Sequence, residues 1–458
     1  MREGSRGKDR RPGRCPGDSY QDLLRSDSHR APASLASESA RDLGTGPVPA
    51  ARYTSPGFFE LECERLWPRV WQMACREEEI PTAGDYMVYD IVGRSVLVVR
   101  GEDGVIRGFH NSCLHRGRRL ATEPGHARTF RCGFHGWTWN LDGSIRSIPC
   151  RWDFQHLGDE DLALPTVRTG TWGGFVFINM DSGAMPLEEY LEVLPAHFER
   201  WRLEDCYKAV HVAKEIRCNW KVAMEAFMES YHVVATHPQI LPLFADASAQ
   251  CDVYGDHVNR NLAAFGSPSP HLGAAAPEDV QVIAGMLSLM GRRGARPEDG
   301  DDRGARAVLG AMNRRSFARA FGGDYTAVSD AETLDAIVYN LFPNFSPWGG
   351  FAPNIIYRWR PVGRSVDSCL MEVMILKRCR TDRPRPAPVP MRLLGPEEPW
   401  SAAEELPVLG AVIDQDMSNM PHVQEGLVAS QTGDVHLGAY QELRIRHFHR
   451  TLDKYLAG

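Results

Sequence analysis

The segments NSCLHRG (111–117) and FRCGFHGWTW (130–139) are the most informative part of this sequence. Each holds one cysteine and one histidine, spaced C-x-H in the first and C-x2-H in the second. Sixteen residues separate the two patterns. The four side chains that can bind a metal are Cys113, His115, Cys132 and His135. Such a repeated pairing of thiol with imidazole predicts a metal site shared by two neighbouring loops.

Two loops that each supply one thiolate and one imidazole suit a [2Fe–2S] cluster with mixed ligands. In such a cluster two thiolates hold one iron and two imidazoles hold the other. We therefore expect Cys113 and Cys132 on one iron, and His115 and His135 on the second. A Cys2His2 zinc site uses the same atoms and is the main alternative. Zinc sites usually pair like ligands, whereas each loop here is mixed, which favours the iron–sulfur cluster.

The pattern around these loops predicts two domains, because 458 residues exceed the usual size of one hydrophobic core. Short β-rich runs separated by turn signals extend to about residue 181, after a helical pattern over residues 53–74. We expect an all-β domain over residues 51–185 and a second domain over residues 186–458. Residues 1–50 are interpreted as mostly a disordered tail.

In the second domain, strand-like segments alternate with helical ones, which is typical of an α+β fold. We expect a helical connector over 186–202, a helix over 219–236 with Asn219 as its N-cap, and a final helical region over 403–455. Residues 265–330 are rich in Gly, Ala and charge. They are predicted to form a solvated or mobile loop, with a lid over a site as the alternative.

A second set of candidate ligands lies in and just after the helix predicted over 219–236. Glu229 and His232 are three residues apart, so they would share a helix face. Pro238 disfavours helical geometry at His237, which should therefore turn back toward His232. Fe(II) that activates O2 is typically held by two histidines and one carboxylate. The alternative is that these histidines are ordinary core or surface residues.

The composition argues against several other classes of protein. Lys and Arg total 52 against 59 Asp and Glu, so the net charge of −7 gives no basic footprint for nucleic acid. No run of eighteen apolar residues is present, so we expect no membrane-spanning helix. The 11 cysteines lack the spacing of a disulfide scaffold. A reducing cytoplasm is the expected location.

These motifs together resemble the Rieske non-haem iron oxygenase family. The family's C-x-H-R-G and C-x2-H-G-W motifs are met at residues 113–117 and 132–137. The segment EAFMESYHVVATHP (225–238) is similar to its mononuclear iron motif, an acid followed by His three residues later and by a second His five further on. In the family the acid is usually Asp and links the iron of one subunit to the cluster of the next. The resemblance gives that role to Glu229, and iron binding to His232 and His237.

The resemblance also implies a third iron ligand near the C-terminus. In the family this acid lies on a helix, about eight residues before a Gln. The segment AVIDQDMSNMPHVQEGL offers Asp414 and Asp416, and Asp416 stands eight residues before Gln424. We therefore favour Asp416.

For the whole chain, the resemblance implies a Rieske [2Fe–2S] domain followed by a helix-grip catalytic domain, in which an antiparallel sheet surrounds a long helix. It implies a ring-hydroxylating oxygenase that uses O2 and electrons, ultimately from NAD(P)H through a ferredoxin or flavin reductase. The expected reaction is hydroxylation, first of all cis-dihydroxylation, of an aromatic or alicyclic hydrophobic compound. Monooxygenation or O- or N-demethylation is the nearest alternative, and a non-enzymatic electron carrier is a more distant one. A homotrimer, or an α3β3 assembly with a small subunit, is expected.

Overall fold

The computed structural model describes residues 14–15, 17–292 and 303–457 of the chain. The first elements are short helices and one short strand: α1 Tyr20–Arg25, α2 Ala33–Ala36, β1 Val48–Pro49, α3 Ala51–Thr54 and α4 Pro56–Leu61. A π-helical turn over Glu62–Leu66 follows α4. The helical pattern predicted over residues 53–74 therefore ends at Leu66, and the residues after Trp71 belong to a strand.

The N-terminal segment is packed against the rest of the protein. We predicted a disordered tail over residues 1–50, and this is wrong for the part of it that the structure describes; residues 1–13 and 16 lie outside the described residues. Tyr20 and Leu35 are 1% and 0% exposed. The Tyr20 hydroxyl donates to Asp335 at 3.0 Å, and Arg306 bridges Asp335 and Asp27. Tyr20 and Asp27 are about 300 residues away in sequence from these partners, so the local composition could not predict the contacts.

The all-β domain is built from two antiparallel sheets. Its strands are β2 Gln72–Arg76, β3 Asp85–Ile91, β4 Arg94–Arg100, β5 Ile106–His110, β6 Gly125–His126, β7 Phe130–Arg131, β8 Thr138–Trp139, β9 Ile145–Ser147, β10 Thr166–Trp172 and β11 Phe175–Asn179. One sheet has the order β2-β11-β10-β5-β4-β3-β6, and the second has the order β7-β8-β9. The cysteine–histidine loops lie on either side of β6 and β7, between β5 and β8.

Strand β4 shows how this domain packs against its neighbour. Side chains alternate between the two faces of a strand. Leu97 and Val99 point into a small core around the cysteine–histidine loops. Val96 and Val98 point into a larger core that also contains side chains of the second domain. All four are fully buried, so β4 is apolar at consecutive positions.

The second domain is α+β, as predicted. Its strands are β12 Cys206–Ile216, β13 Phe244–Tyr254, β14 Val258–Phe265, β15 Ala336–Leu341, β16 Phe345–Pro347, β17 Asn354–Pro361, β18 Cys369–Arg378, β19 Arg392–Leu393 and β20 Asp434–Val435. Its helices are α5 Leu187–Tyr190, α6 Leu194–Phe198, α7 Trp220–Glu225, α8 Val233–Thr236, α9 Asp279–Leu289, α10 Ala305–Phe321, α11 Asp330–Leu334, α12 Leu409–Ala429 and α13 Leu443–Ala457.

Eight of these strands form one sheet in the order β13-β14-β15-β16-β17-β18-β12-β19. Neighbouring strands are antiparallel except for the parallel pair β12 and β19. The long helix α12 packs against α7 and β12, and α13 packs against β13 and β14. This is the expected helix-grip arrangement. None of the described helices is both long and apolar enough to cross a membrane.

Residues 265–330 are not the solvated loop that we predicted. They contain α9 and α10, whose buried faces pack on each other and on Leu243. Our prediction gave too little weight to Ala and Leu, which are strong helix formers. Within this segment, residues 293–302 lie outside the described part of the chain.

Candidate metal centres and substrate cavity

The two cysteine–histidine loops lie side by side. Cys113 and Cys132 are buried, and the ring centroids of His115 and His135 are 4.5 Å apart. Each loop is closed by a backbone hydrogen bond that a glycine N–H donates back to the loop's cysteine carbonyl, at 2.8 and 3.0 Å. Those glycines have φ values of +73° and +77°, which side chains disfavour. Local hydrogen bonds and glycines therefore shape each of the two loops that carry the predicted ligands.

The loops fit a [2Fe–2S] cluster in two respects. Burial raises the pKa of Cys113, and backbone N–H groups directed at both sulfur atoms oppose that effect, so that the pKa of Cys132 is lowered; these N–H groups favour the thiolates that would hold iron. In addition, Nδ1 of His115 is buried without a hydrogen-bond partner in the described part of the chain. The His115 ring is stacked on Trp137, with the centroids 5.1 Å apart and the planes 6° apart. A metal would satisfy the orphaned nitrogen.

The chain between Asn219 and Pro238 differs from the single helix that we predicted. Asn219 does cap α7, since its side chain accepts from the Lys221 N–H at 3.0 Å. However, α7 ends at Glu225, and α8 covers only Val233–Thr236.

Distant contacts explain the break. In a continuous helix the His232 N–H would donate to the carbonyl of Met228. Here that carbonyl accepts from the Arg444 guanidinium at 3.0 Å. The His232 N–H donates instead to Oε2 of Glu229, also at 3.0 Å. Glu229 and His232 therefore meet across a turn and not along a helix face.

His232, His237 and Asp416, which we call the triad, converge at one point. Nε2 of His237 lies 2.8 Å from Oδ1 of Asp416, and Nε2 of His232 lies 3.4 Å from the same oxygen. The three potential ligand atoms are within 4.8 Å of one another. His237 has φ −126° and ψ 49°, outside the helical region, as Pro238 led us to expect. Two imidazoles and one carboxylate are the donor set typical of non-haem Fe(II).

The far side of each imidazole in the triad contacts an oxygen atom. Nδ1 of His232 lies 2.6 Å from Oε1 of Glu229. Nδ1 of His237 lies 2.8 Å from Oε1 of Gln415. Such contacts orient a ligand ring and leave Nε2 free to face a metal. The sequence analysis identified Glu229 but missed Gln415, whose only local signal is its position next to Asp416.

The structure distinguishes Asp414 from Asp416, the two candidates for the third iron ligand. Asp414 accepts from the backbone N–H groups of Trp400 and Ser401, at 2.7 and 3.0 Å, and does not belong to the triad. Asp416 is 4% exposed and faces the histidines. Gln424, two turns further along α12, accepts from the Asn219 N–H at 2.9 Å. This bond ties α12 to the start of α7, so the family's Asp-to-Gln spacing has a structural basis here.

A cavity of about 520 Å³ lies beside the triad. Its walls are mainly apolar and aromatic, and include Phe227, Val233, Phe244, Phe265, Met286, Leu289, Phe317, Trp348 and Tyr357. Met224 and Met228, on the same segment as Phe227, are buried in the large core instead. Helices α9 and α10 supply Met286, Leu289 and Phe317, so the segment 265–330 covers the cavity. The lid alternative therefore describes the structure better than a loop.

Comparison with known proteins identifies the family to which this chain belongs. The model of the Rieske [2Fe-2S] domain matches residues 70–159, and that of the ring hydroxylating alpha subunit (catalytic domain) matches residues 194–458. The chain is 32% identical over 219 residues to the carnitine monooxygenase oxygenase subunit of Acinetobacter baumannii, covering 46% of this chain and 57% of that protein. It is 35% identical over 202 residues to the biphenyl 2,3-dioxygenase subunit alpha of Rhodococcus jostii, covering 43% and 44%.

Solved structures agree on the fold. The crystal structure of a quaternary ammonium Rieske monooxygenase superposes with a TM-score of 0.63 at 19% identity, covering 90% of this chain and 96% of that chain. The chain spans about half the length of the curated relatives that it matches. Because the catalytic-domain model alone matches more than half of the chain, the protein belongs to the ring-hydroxylating alpha subunits, as its motifs predicted.

Proposed function

We propose that the protein is the oxygenase component of a Rieske non-haem iron enzyme that hydroxylates a hydrophobic small molecule with O2. One observation carries this proposal: the triad opens into a largely apolar cavity, in a chain that also has a Rieske domain. In this proposal Cys113, His115, Cys132 and His135 hold the cluster. His232, His237 and Asp416 hold a single Fe(II).

When bound, the cluster supplies electrons singly and the Fe(II) supplies the O2 chemistry. The contact between Glu229 and Nδ1 of His232 supports Glu229 as the residue through which electrons reach the triad. His135 is exposed, so its ring is open to a neighbouring subunit. We propose a head-to-tail trimer in which His135 of one subunit approaches Glu229 of the next. A ferredoxin or flavin reductase would supply the electrons from NAD(P)H, and a small β subunit would complete an α3β3 form.

The cavity supports an aromatic or alicyclic substrate. Its volume lies in the range of small-molecule sites, roughly 300–1,000 Å³, and its walls are mainly apolar. Ring dihydroxylation remains the leading reaction. The similarity to carnitine and glycine betaine monooxygenase oxygenase subunits supports monooxygenation or demethylation as the second candidate. None of the eleven cysteines, all of which the structure describes, forms a disulfide bond, which suits the cytoplasm as the location.

Metal analysis of anaerobically reconstituted protein tests the proposal. About three irons per chain, of which one is removable without loss of the cluster's visible spectrum, is the expected result. Two irons would support the electron carrier, and a colourless zinc protein would refute both. The mass of the product formed under 18-O2 then separates the reactions. Dihydroxylation adds two labelled oxygen atoms and hydroxylation adds one, whereas demethylation leaves the product without its methyl group, which departs as labelled formaldehyde.

A further inference from the structure

Arg292 is a cation that the fold fixes at the cavity wall. It lies three residues after Leu289, the last residue of α9. There the Arg292 N–H donates to the carbonyl of Leu287 at 2.7 Å, and the Gly291 N–H donates to that of Ser288 at 3.0 Å. This is a Schellman motif, and Gly291 provides the φ of +69° that it requires. The position after that glycine is often apolar, because it packs back on the helix. Here it carries a guanidinium that lines the cavity.

The surroundings of Arg292 contain neutral partners and a second cation. Its guanidinium donates to Oδ1 of Asn313 at 2.9 Å and to Oγ of Ser316 at 3.2 Å. Burial, and then the nearby Arg319, lower the pKa of Arg292. Among the described residues, its hydrogen bonds go to neutral side chains, and the charge that affects its pKa is that of Arg319, not of a carboxylate.

Charge within the cavity is unevenly divided. Among the described residues that line it, Arg292 is the single arginine or lysine. The acidic residues that line it are Glu229 and Asp416, and both already contact histidines of the triad. Among these described residues, an anion entering the cavity therefore meets one permanent cation, at the end of α9.

We propose that Arg292 binds a carboxylate group of the substrate, so that this enzyme acts on an aromatic or alicyclic acid. This inference rests on the proposed function, which concerns the other end of the substrate, where the reaction with O2 takes place. A guanidinium has five N–H bonds in a planar fork that matches a carboxylate. Its two described hydrogen bonds leave N–H groups free for a ligand, and Asn313 and Ser316 hold the fork in place. The apolar walls would contact the rest of such a molecule.

Matched pairs of acid and amide test this without knowledge of the true substrate. Benzoate, phenylacetate and 3-phenylpropanoate, each with its primary amide, are titrated calorimetrically into anaerobic, iron-loaded protein. At least one acid should bind about ten- to hundred-fold more tightly than its amide, the range expected for a hydrogen bond to a charged group. In Arg292→Gln this preference should fall to near unity, and Arg292→Lys should retain part of it.

Arg319→Gln is the matched control, because it removes the same charge from the adjoining helix without lining the cavity. It should keep the preference for acids. An equal loss in both variants, equal binding of acid and amide by the wild type, or no binding of either series would overturn the inference. Unchanged iron content and cluster spectrum in Arg292→Gln show that the variant is folded. If the protein lacked the third iron, the proposed function would fail; with three irons and no acid preference, only the role of Arg292 would fail.

Discussion

Replacing Arg444 with methionine should weaken Fe(II) binding at the triad and leave the cluster loops intact. Arg444 is fully buried, and its guanidinium donates to the Met228 carbonyl at 3.0 Å and to Oδ1 of Asn259 at 2.6 Å. Burial lowers the pKa of Arg444 to about 10, so the side chain stays charged at neutral pH. This cation keeps the Met228 carbonyl away from the His232 N–H and so maintains the break between α7 and α8.

The magnitude has a global and a local part. Hydrogen bonds from a charged donor contribute about 1.5–3 kcal/mol each, but removing a buried charge offsets part of that loss. The free energy of unfolding should therefore fall by about 2–4 kcal/mol. Locally, the freed Met228 carbonyl can accept a hydrogen bond from the His232 N–H, and Glu229 then loses its own hydrogen bond with that N–H. Displacing an outer contact of a metal ligand typically costs ten- to hundred-fold in affinity, so the Kd for Fe(II) should rise by about that factor.

Anaerobic titration of Fe(II) into protein that holds its cluster but lacks the third iron measures this Kd. Arg446→Met is the matched control, because Arg446 is buried on the same helix and donates to the carbonyls of Gly438, Gly46 and Leu437, outside the triad. It should lose stability without losing affinity for Fe(II). If Arg444→Met bound Fe(II) as tightly as the wild type, the explanation of the helix break would be wrong.

Three further predictions concern the triad and its neighbour. His232→Ala should keep the cluster's visible spectrum, drop from about three irons per chain to about two, and form no product; retained activity would refute the triad. Asp416→Asn should also lose the third iron. Asp414→Asn should keep it, and its free energy of unfolding should fall by only about 1 kcal/mol because the hydrogen bond from the Trp400 N–H is weakened. The reverse result would exchange the roles of the two aspartates. Glu229→Asp should hold both centres but reoxidise the reduced cluster more slowly in stopped-flow with O2 and substrate, and an unchanged rate would exclude a direct role for the Glu229 contact with His232.

The shape of each cysteine–histidine loop could be predicted from the sequence, because its geometry is largely local, and the cluster that the loops would hold stays a prediction. Four ligands and two glycines with positive φ lie within 24 residues, 113–136, and short backbone hydrogen bonds close both loops. The turn at His237 was predictable for the same reason, since Pro238 restricts the residue directly before it. Asp416 required the family resemblance, because nothing near it in sequence distinguishes it from Asp414.

The features that the sequence did not predict depend on distant residues. The break in the helix over 219–236 needs Arg444, more than 200 residues away, to compete for the Met228 carbonyl. The packing of the N-terminal segment depends on hydrogen bonds with Asp335 and Arg306. Arg292 looked like one charge in a polar run, and its position on the cavity wall follows only from the way α9 ends. Local propensity describes each segment in isolation, whereas these outcomes are set by tertiary hydrogen bonds.

The extra methylene of Glu229, relative to the family's usual Asp, follows from the helix break. Oε2 of Glu229 accepts from the backbone N–H groups of Tyr231 and His232, while Oε1 contacts the His232 ring. A shorter Asp carboxylate can cap such amides, but it would then fall short of the ring. One carboxylate therefore sets both the turn and the ring orientation. Glu229→Ala would disturb the triad as well as the proposed electron path, which is why the conservative change to Asp is the one that separates the two roles.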